Sequence, residues 1–252
     1  MLGAIIGDIA GSRYEFYNTR DYNFEMFSRA NSYTDDTVCT VAIADCILRN
    51  RRYDVGLLEW CRKYPNPMGS YGTSFNRWIH SYDDNSPYGS YGNGSAMRVS
   101  PVAWAFNTKE DVLRHAKASA EITHNHPEGI KGAQAVAAVI FALRSNPSAE
   151  TIRDAGGEFY PEFWAAEYDH EFNETCQGTV PLCLKIAMES DPFENAVRRA
   201  VSWGGDSDTI GAIVGSMAEA RFGVPEDLKI KALQKLPADM QEVVEKFYER
   251  FR

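Results

Sequence analysis

The sequence lacks the features that mark several large classes of protein. Its five cysteines are an odd number without a Cys-x-x-Cys pair, which argues against a disulfide framework and against a cysteine-ligated zinc site. It has no run of about 20 apolar residues, the length that a membrane-spanning helix needs. The first residues show no basic region ahead of an apolar stretch, unlike a signal peptide. We therefore expect a cytoplasmic protein that has no membrane-spanning segment.

Positive charge is also scarce. The chain carries 26 Lys and Arg residues against 35 Asp and Glu residues, for a net charge of −9. A protein that binds nucleic acid through its phosphates needs a basic face. The densest basic runs, Arg49–Arg52 and Arg198–Arg199, are too short to form one. Nucleic acid is therefore not expected as the main partner.

Strands with alternating apolar and polar residues are missing as well, and the apolar residues recur at helical spacing instead. The segments with this spacing are Thr37–Leu48, Lys109–Glu121, Ile130–Leu143, Phe193–Trp203 and Thr209–Phe222, with further helix in the tail from Pro225 to Phe251. Ile130–Leu143 is so rich in Ala and aliphatic residues that we expect it to be buried nearly all round. The chain length of 252 residues suits one all-α domain over residues 1–252.

What the sequence does contain is two clusters that pair carboxylates with hydroxyls ahead of an apolar helix. The first is Tyr33–Thr37, with sequence YTDDT, and the second is Gly204–Thr209, with sequence GGDSDT. One acidic residue would be enough to cap a helix. Adjacent carboxylates repel one another unless a cation lies between them, and oxygen ligands suit Mg²⁺ or Mn²⁺. Together the clusters predict a cage for one or two such ions.

Three further segments are candidates for function. Gly7 and Gly11 have the spacing that lets two helices pack closely, and Glu15 follows them as a candidate acidic group. The stretches 68–78 and 86–98 are rich in Gly, Ser, Tyr and Asn. They fit either a flexible surface loop or the wall of a ligand site.

One alternative interpretation concerns Asp206, Asp208 and Thr209. Their spacing is superficially similar to the DxDxT motif of haloacid-dehalogenase-type phosphatases. That chemistry requires the first Asp at the tip of a buried parallel strand. The preceding segment, Pro192–Trp203, has helical spacing instead, which makes this alternative the weaker one.

Five motifs in this order resemble the ADP-ribosylglycohydrolase family, which includes dinitrogenase reductase-activating glycohydrolase. They are GAIIGDIAGSRYE, YTDDT, SYGNGSAMRVSP, ITHNHPEGIKGA and WGGDSDTIGAIVGSMAEARFG. The match runs from Gly3 to about Gly223. The resemblance implies an all-α fold, a single compact orthogonal helical bundle. It also implies a two-metal centre, and hydrolysis of the C1″ glycosidic bond of ADP-ribose on a modified protein or a small-molecule conjugate.

The resemblance also assigns roles to residues. The metal ligands it implies are Thr34, Asp35, Asp36, Asp206, Asp208 and Thr209. The catalytic residues it implies are Glu15, Asp35 and Asp36. The substrate contacts it implies are Gly72, Ser90, Tyr91, Gly92, Asn93, Gly94 and His124. A non-catalytic relative that binds ADP-ribose or is purely structural is the alternative within the same fold, because a fold alone does not guarantee activity.

Overall fold

The computed structural model describes residues 1–251, and helices joined by loops account for most of them. The helices are α1 (Leu2–Gly11), α2 (Asp35–Arg49), α3 (Tyr53–Lys63), α4 (Thr73–His80), α5 (Gly94–Met97), α6 (Ser100–Ala105), α7 (Lys109–Glu121), α8 (Pro127–Leu143), α9 (Ala149–Gly157), α10 (Cys176–Glu189), α11 (Phe193–Trp203), α12 (Ser207–Phe222), α13 (Glu226–Leu233) and α14 (Ala238–Phe251). Within this part of the chain, strand-type pairing is limited to two isolated bridges, Thr34 with Met68 and Gly92 with Thr175. The all-α prediction is confirmed.

Helix boundaries follow the local sequence. Helices α7 and α11 have the predicted ends. Helix α8 begins earlier than predicted, at Pro127, because proline suits the first helical turn and the His126 side chain accepts a hydrogen bond from the Glu128 N–H. The stretches 68–78 and 86–98, expected to be irregular, are helical in part, since α4 and α5 begin inside them.

Helix α8 lies in the middle of the molecule, as its composition predicted. It contacts α5, α6, α7, α9, α10 and α12, and most of its residues are buried. All five cysteines are free and buried. Among the described residues, no helix has both the length and the apolar character needed to cross a membrane.

Helices α1 and α12 pack with their backbones in direct contact. A Cβ atom added to Gly7 would lie 1.9 Å from the carbonyl oxygen of Gly211, and one added to Gly3 would lie 2.0 Å from that of Gly215. Only glycine permits so close an approach, which is the use that the spacing of Gly7 and Gly11 predicted. The contact places the end of α1 beside the beginning of α12, and this positions the residues described next.

Candidate functional site

The two acidic clusters of the sequence meet in the folded chain. Thr34 caps α2, and its Oγ1 accepts a hydrogen bond from the Asp36 N–H at 3.2 Å. Asp206 directly precedes α12. The Thr209 hydroxyl donates to Asp36 Oδ2 at 3.1 Å. The N-termini of α2 and α12 therefore bring their carboxylates to one point.

Asp8 holds the beginning of α2 in place, a role that its position in the apolar helix α1 did not indicate. Its side chain is fully buried. It accepts hydrogen bonds from the Thr34 N–H at 3.1 Å, the Thr34 hydroxyl at 2.7 Å and the Thr37 N–H at 3.1 Å, and also from the Thr37 hydroxyl. Burial raises the pKa of Asp8 to about 6. Asp8 thus orients the residues that flank Asp35 and Asp36.

A compact group of carboxylates lies at this point. Carboxylate oxygens of Glu15, Asp206 and Asp208 lie within 4.8 Å of one another. One oxygen of Asp36 and one of Asp208, both named Oδ1, are buried without a hydrogen-bond partner. Buried carboxylate oxygens without partners are costly, and a bound cation is the usual partner. The donor set therefore fits divalent metal ions.

Mutual repulsion and burial raise the pKa values of this group. Burial is the largest cause for each member, and the charge of Asp208 is the next cause for Glu15, Asp35 and Asp36. The pKa of Glu15 rises to about 8, and that of Asp206 to about 7. Asp208, whose own pKa is also raised well above its usual range, is therefore the electrostatic centre of the group.

A cleft of 460 Å³ opens over these carboxylates. Most of the residues predicted to bind substrate line it, together with the predicted acidic residues. These lining residues are Gly72, Ser90, Gly92, Asn93, Gly94 and His124, and Glu15, Asp35, Asp36, Asp206, Asp208 and Thr209. The structure thus brings twelve of the fourteen predicted site residues to one cavity.

Thr34 and Tyr91 are the two that do not line the cleft. The Thr34 side chain is fully buried at the beginning of α2, where its hydroxyl donates to Asp8. Tyr91 is 47% exposed, and its ring centroid lies 5.2 Å from that of His126. Their expected roles as metal ligand and substrate contact remain predictions.

The Asn93 amide holds a carboxylate of the acidic group. Its Nδ2 donates to Asp206 Oδ2 at 2.7 Å and to the Thr179 hydroxyl at 3.2 Å. Its backbone N–H donates to the Glu174 carbonyl at 2.7 Å. Asn93 therefore links the glycine-rich loop before α5 to the acidic group through a hydrogen bond.

Gly69 presses against Glu15, a contact that the sequence did not indicate. Gly69 has a φ of +78°, and an added Cβ would lie 2.4 Å from Glu15 Oε2. The neighbouring atom is the end of a flexible side chain, so it can move aside. Glycine at position 69 therefore leaves room for the Glu15 carboxylate, and a side chain there would displace it.

We expect Gly69→Ala to lower kcat by about 10- to 100-fold, because displacement of a reacting group by about 1 Å has an effect of that size. Steady-state kinetics on a cleavable substrate would measure it. Gly223→Ala is a matched control, since Gly223 has a φ of +75° with open space around it. Both variants should lose about 1–3 kcal/mol of stability, because an L side chain is strained at these positive φ values. Equal kcat values for the two variants would contradict the role of Gly69.

The phosphatase alternative is excluded by the surroundings of Asp206. Asp206 caps a helix, and the segment before it is helix α11 rather than a strand. Residues 1–251 contain no parallel sheet on which such a motif could lie.

Comparisons with known proteins agree with the geometry. The chain matches the sequence profile of the ADP-ribosylglycohydrolase family over residues 1–252. It is 26% identical to ADP-ribosyl-[dinitrogen reductase] glycohydrolase of Rhodospirillum rubrum, over 93% of this chain and 88% of that protein. It is 27% identical to ADP-ribosylhydrolase ARH3 of Homo sapiens, over 90% of this chain and 85% of that protein.

Two further matches extend this result. The chain is 24% identical to ADP-ribosylarginine hydrolase Tri1 of Pseudomonas putida, over 89% of this chain and 70% of that protein. A solved structure titled "ADP-ribosylglycohydrolase-related protein complex" has the same fold, with a TM-score of 0.74 and 22% identity over 100% of this chain and 97% of that one. From the profile match over its whole length, the chain belongs to the ADP-ribosylglycohydrolase family of hydrolases.

Proposed function

We propose that this chain is a metal-dependent hydrolase, acting as one domain over residues 1–252. It cleaves the glycosidic bond at C1″ of ADP-ribose and releases ADP-ribose from a modified protein side chain or a small-molecule conjugate. The observation that carries the proposal is a group of carboxylates at the floor of a cleft that glycines line in part, with Asp36, Asp206 and Asp208 buried and Glu15 partly buried. Relatives named for hydrolysis of ADP-ribosyl linkages support it.

The residues that would hold the ions lie at the N-termini of α2 and α12. One ion would be held by Thr34, Asp35 and Asp36, and the other by Asp206, Asp208 and Thr209. Two bound divalent cations, Mg²⁺ or Mn²⁺, would supply positive charge that offsets the carboxylates and polarises the ribose hydroxyls and a water molecule. The partnerless oxygens of Asp36 and Asp208 support this assignment.

Proton transfer and binding of the diphosphate would depend on the chain's own side chains and backbone. Cleavage at C1″ passes through an oxocarbenium-like state, and the leaving group then needs a proton. Glu15, with a pKa raised to about 8 by burial and by the charge of Asp208, is suited to hold that proton near neutral pH. Asp35 and Asp36, whose pKa values are raised by burial and by the charge of Asp208, would be kept in their ionised form by bound divalent cations. Gly92 and Gly94 let the diphosphate approach the backbone closely.

The test is release of ADP-ribose from peptides ADP-ribosylated on arginine or on serine, with Mg²⁺, with Mn²⁺ and with EDTA. We expect turnover of at least one peptide with a divalent ion and loss of turnover with EDTA. Binding of ADP-ribose without turnover of any substrate would instead favour the non-catalytic alternative. Turnover that is equally fast after verified removal of metal would contradict the metal dependence.

Divalent metal should stabilise the protein more as pH rises. The folded pKa values of Glu15 and Asp206, about 8 and about 7, exceed the ordinary values of 4.5 and 3.8. Without metal, these groups favour the fold below their ordinary pKa values, and this contribution is lost as pH rises through about 7 to 8. Metal binds deprotonated carboxylates, Asp206 among them, so the competition of protons with metal weakens as pH rises through about 7.

We therefore expect Mg²⁺ at about 100 times its Kd to raise Tm by about 5–10 °C at pH 8 and by much less at pH 5. Thermal unfolding in EDTA and in Mg²⁺ would measure the difference, with NaCl at matched ionic strength as the control for screening. A metal-induced rise in Tm that is larger at pH 5 than at pH 8 would contradict the assignment.

A further inference from the structure

A buried positive charge lies in the wall of the cleft without an acidic partner. Arg98 is 1% exposed and lines the cleft. Its guanidinium forms no ion pair with any carboxylate of residues 1–251. Buried charges are normally paired. Its Nη2 donates instead to the Ser119 carbonyl at 3.0 Å and to the Thr123 hydroxyl at 2.9 Å.

The Thr123 hydroxyl connects this charge to a histidine. Thr123 is fully buried, and its Oγ1 lies 2.7 Å from His124 Nδ1. A guanidinium can only donate hydrogen bonds, so the hydroxyl oxygen accepts from Arg98. If Nδ1 also carried a proton, the oxygen would accept twice and the hydroxyl proton would have no acceptor. The arrangement that satisfies every group has Thr123 donating to an unprotonated Nδ1.

The other ring nitrogen of His124 faces the glycine-rich loop. Cβ atoms added to Gly94 and Gly92 would lie 3.1 Å and 3.4 Å from Nε2. His124 lines the cleft, and its Nε2 has no hydrogen-bond partner among residues 1–251. In a neutral imidazole with Nδ1 unprotonated, Nε2 carries the proton. A single N–H donor therefore faces the cleft beside Gly92 and Gly94.

We propose that Arg98 and Thr123 are positioning residues that hold His124 as its Nε2–H tautomer, so that the ring donates one hydrogen bond to an oxygen of the bound ADP-ribosyl group. This proposal rests on the proposed function for its ligand. The sequence singled out His124 alone, because the contact of Arg98 with Thr123 forms only in the folded chain.

The charge state of His124 agrees with the geometry. Burial lowers its pKa well below the usual range, and the positive charge of Arg98 lowers it further. The ring therefore stays neutral at physiological pH. A protonated ring would donate from Nδ1 as well and would compete with Arg98 for the Thr123 oxygen.

The binding test replaces one hydroxyl by a methyl group of nearly the same size. We expect Thr123→Val to weaken binding of ADP-ribose, measured calorimetrically with Mg²⁺ present, by about 3- to 10-fold, the range for one lost hydrogen bond. Thr123→Ser keeps the donor and acceptor and should bind within about twofold of the wild type. In a His124→Gln background, Thr123→Val should cause no further loss, because the effect passes through His124.

A matched control makes the same change elsewhere. The Thr40 hydroxyl is buried on α2 and has no hydrogen-bond partner, so Thr40→Val should leave the affinity for ADP-ribose unchanged. An equal loss of affinity in Thr40→Val and Thr123→Val would overturn the proposal, since it would reflect a general effect of the substitution on the core.

The tautomer can be observed directly by long-range ¹H–¹⁵N correlation NMR on protein labelled in its five histidines, with the His124 signals assigned from the His124→Gln variant. We expect the Nε2–H pattern in the wild type and in Thr123→Ser, and an added Nδ1–H population in Thr123→Val. An Nδ1–H pattern in the wild type would overturn the proposal even if ADP-ribose binds. A wild type that binds no ADP-ribose but shows the Nε2–H pattern would overturn the proposed function and, with it, the ligand assigned to His124.

Discussion

Asp208→Asn should lower kcat about 10³-fold while the metal-free protein becomes no less stable. Asp208 is buried, has an oxygen without a partner and contributes the leading charge that raises the pKa values of Glu15, Asp35 and Asp36. Removal of its charge relieves repulsion in the empty site. The same change removes a ligand from the proposed metal centre. Stabilisation of transition-state charge by such a centre amounts to several kcal/mol, or a factor of about 10³ in rate.

The two effects of Asp208→Asn have opposite signs, which separates them from simple unfolding. We expect Tm in EDTA to equal or exceed that of the wild type, and the rise in Tm with Mg²⁺ to disappear. Asp45→Asn is the matched control. Asp45 is a buried carboxylate on α2 that pairs with Arg49 and accepts from Trp60, outside the cleft. That variant should lose stability but keep its kcat. A destabilised Asp208→Asn protein with normal turnover would contradict the metal centre.

Glu15→Gln should lower kcat by about 10²- to 10⁴-fold, the range for a general acid–base group, with KM changed less than about threefold. The amide keeps the shape of the side chain but cannot transfer the proton. Glu15 is the carboxylate closest to Gly69, and its pKa of about 8 depends first on burial and then on Asp208, Asp8 and Glu174. In the metal-free protein its protonated form is therefore well populated near neutral pH.

Glu174→Gln is the comparison for this prediction. Glu174 lines the same cleft and raises the pKa of Glu15 through its charge alone. We expect its replacement to lower the Glu15 pKa slightly and to change kcat by less than about tenfold. Single-turnover kinetics from pH 5 to pH 9 would separate the two variants. A near-normal rate for Glu15→Gln would rule out its catalytic role.

The helical character of the protein could be predicted from local pattern. Helices α7 and α11 begin and end where their apolar periodicity does, because capping and spacing act within a few residues. The helices within 68–78 and 86–98 could not be predicted in this way. Helices α4 and α5 are short, and contacts with the core rather than intrinsic propensity hold short helices together.

The carboxylates of the acidic group that lie in clustered motifs could also be predicted from the sequence. The segments YTDDT and GGDSDT each place hydroxyls and carboxylates at a helix N-terminus, and the two meet through the contact of Thr209 with Asp36. Asp8 was not predictable as a functional residue. Its place in an apolar helix suggested only packing, and its four hydrogen bonds come from residues that lie far along the chain.

Residue order is enough to predict the class of fold, the family and the carboxylates that line the cleft, because helical periodicity, motif order and clustered acids are properties of neighbouring residues. The orientation of those side chains depends on contacts that form when the chain folds. Asn93 donates to Asp206, Glu15 lies beside Gly69, and Arg98 donates to Thr123. These contacts join segments that packing alone brings together, and hydrogen-bond direction and steric contact depend on distances that residue order does not contain.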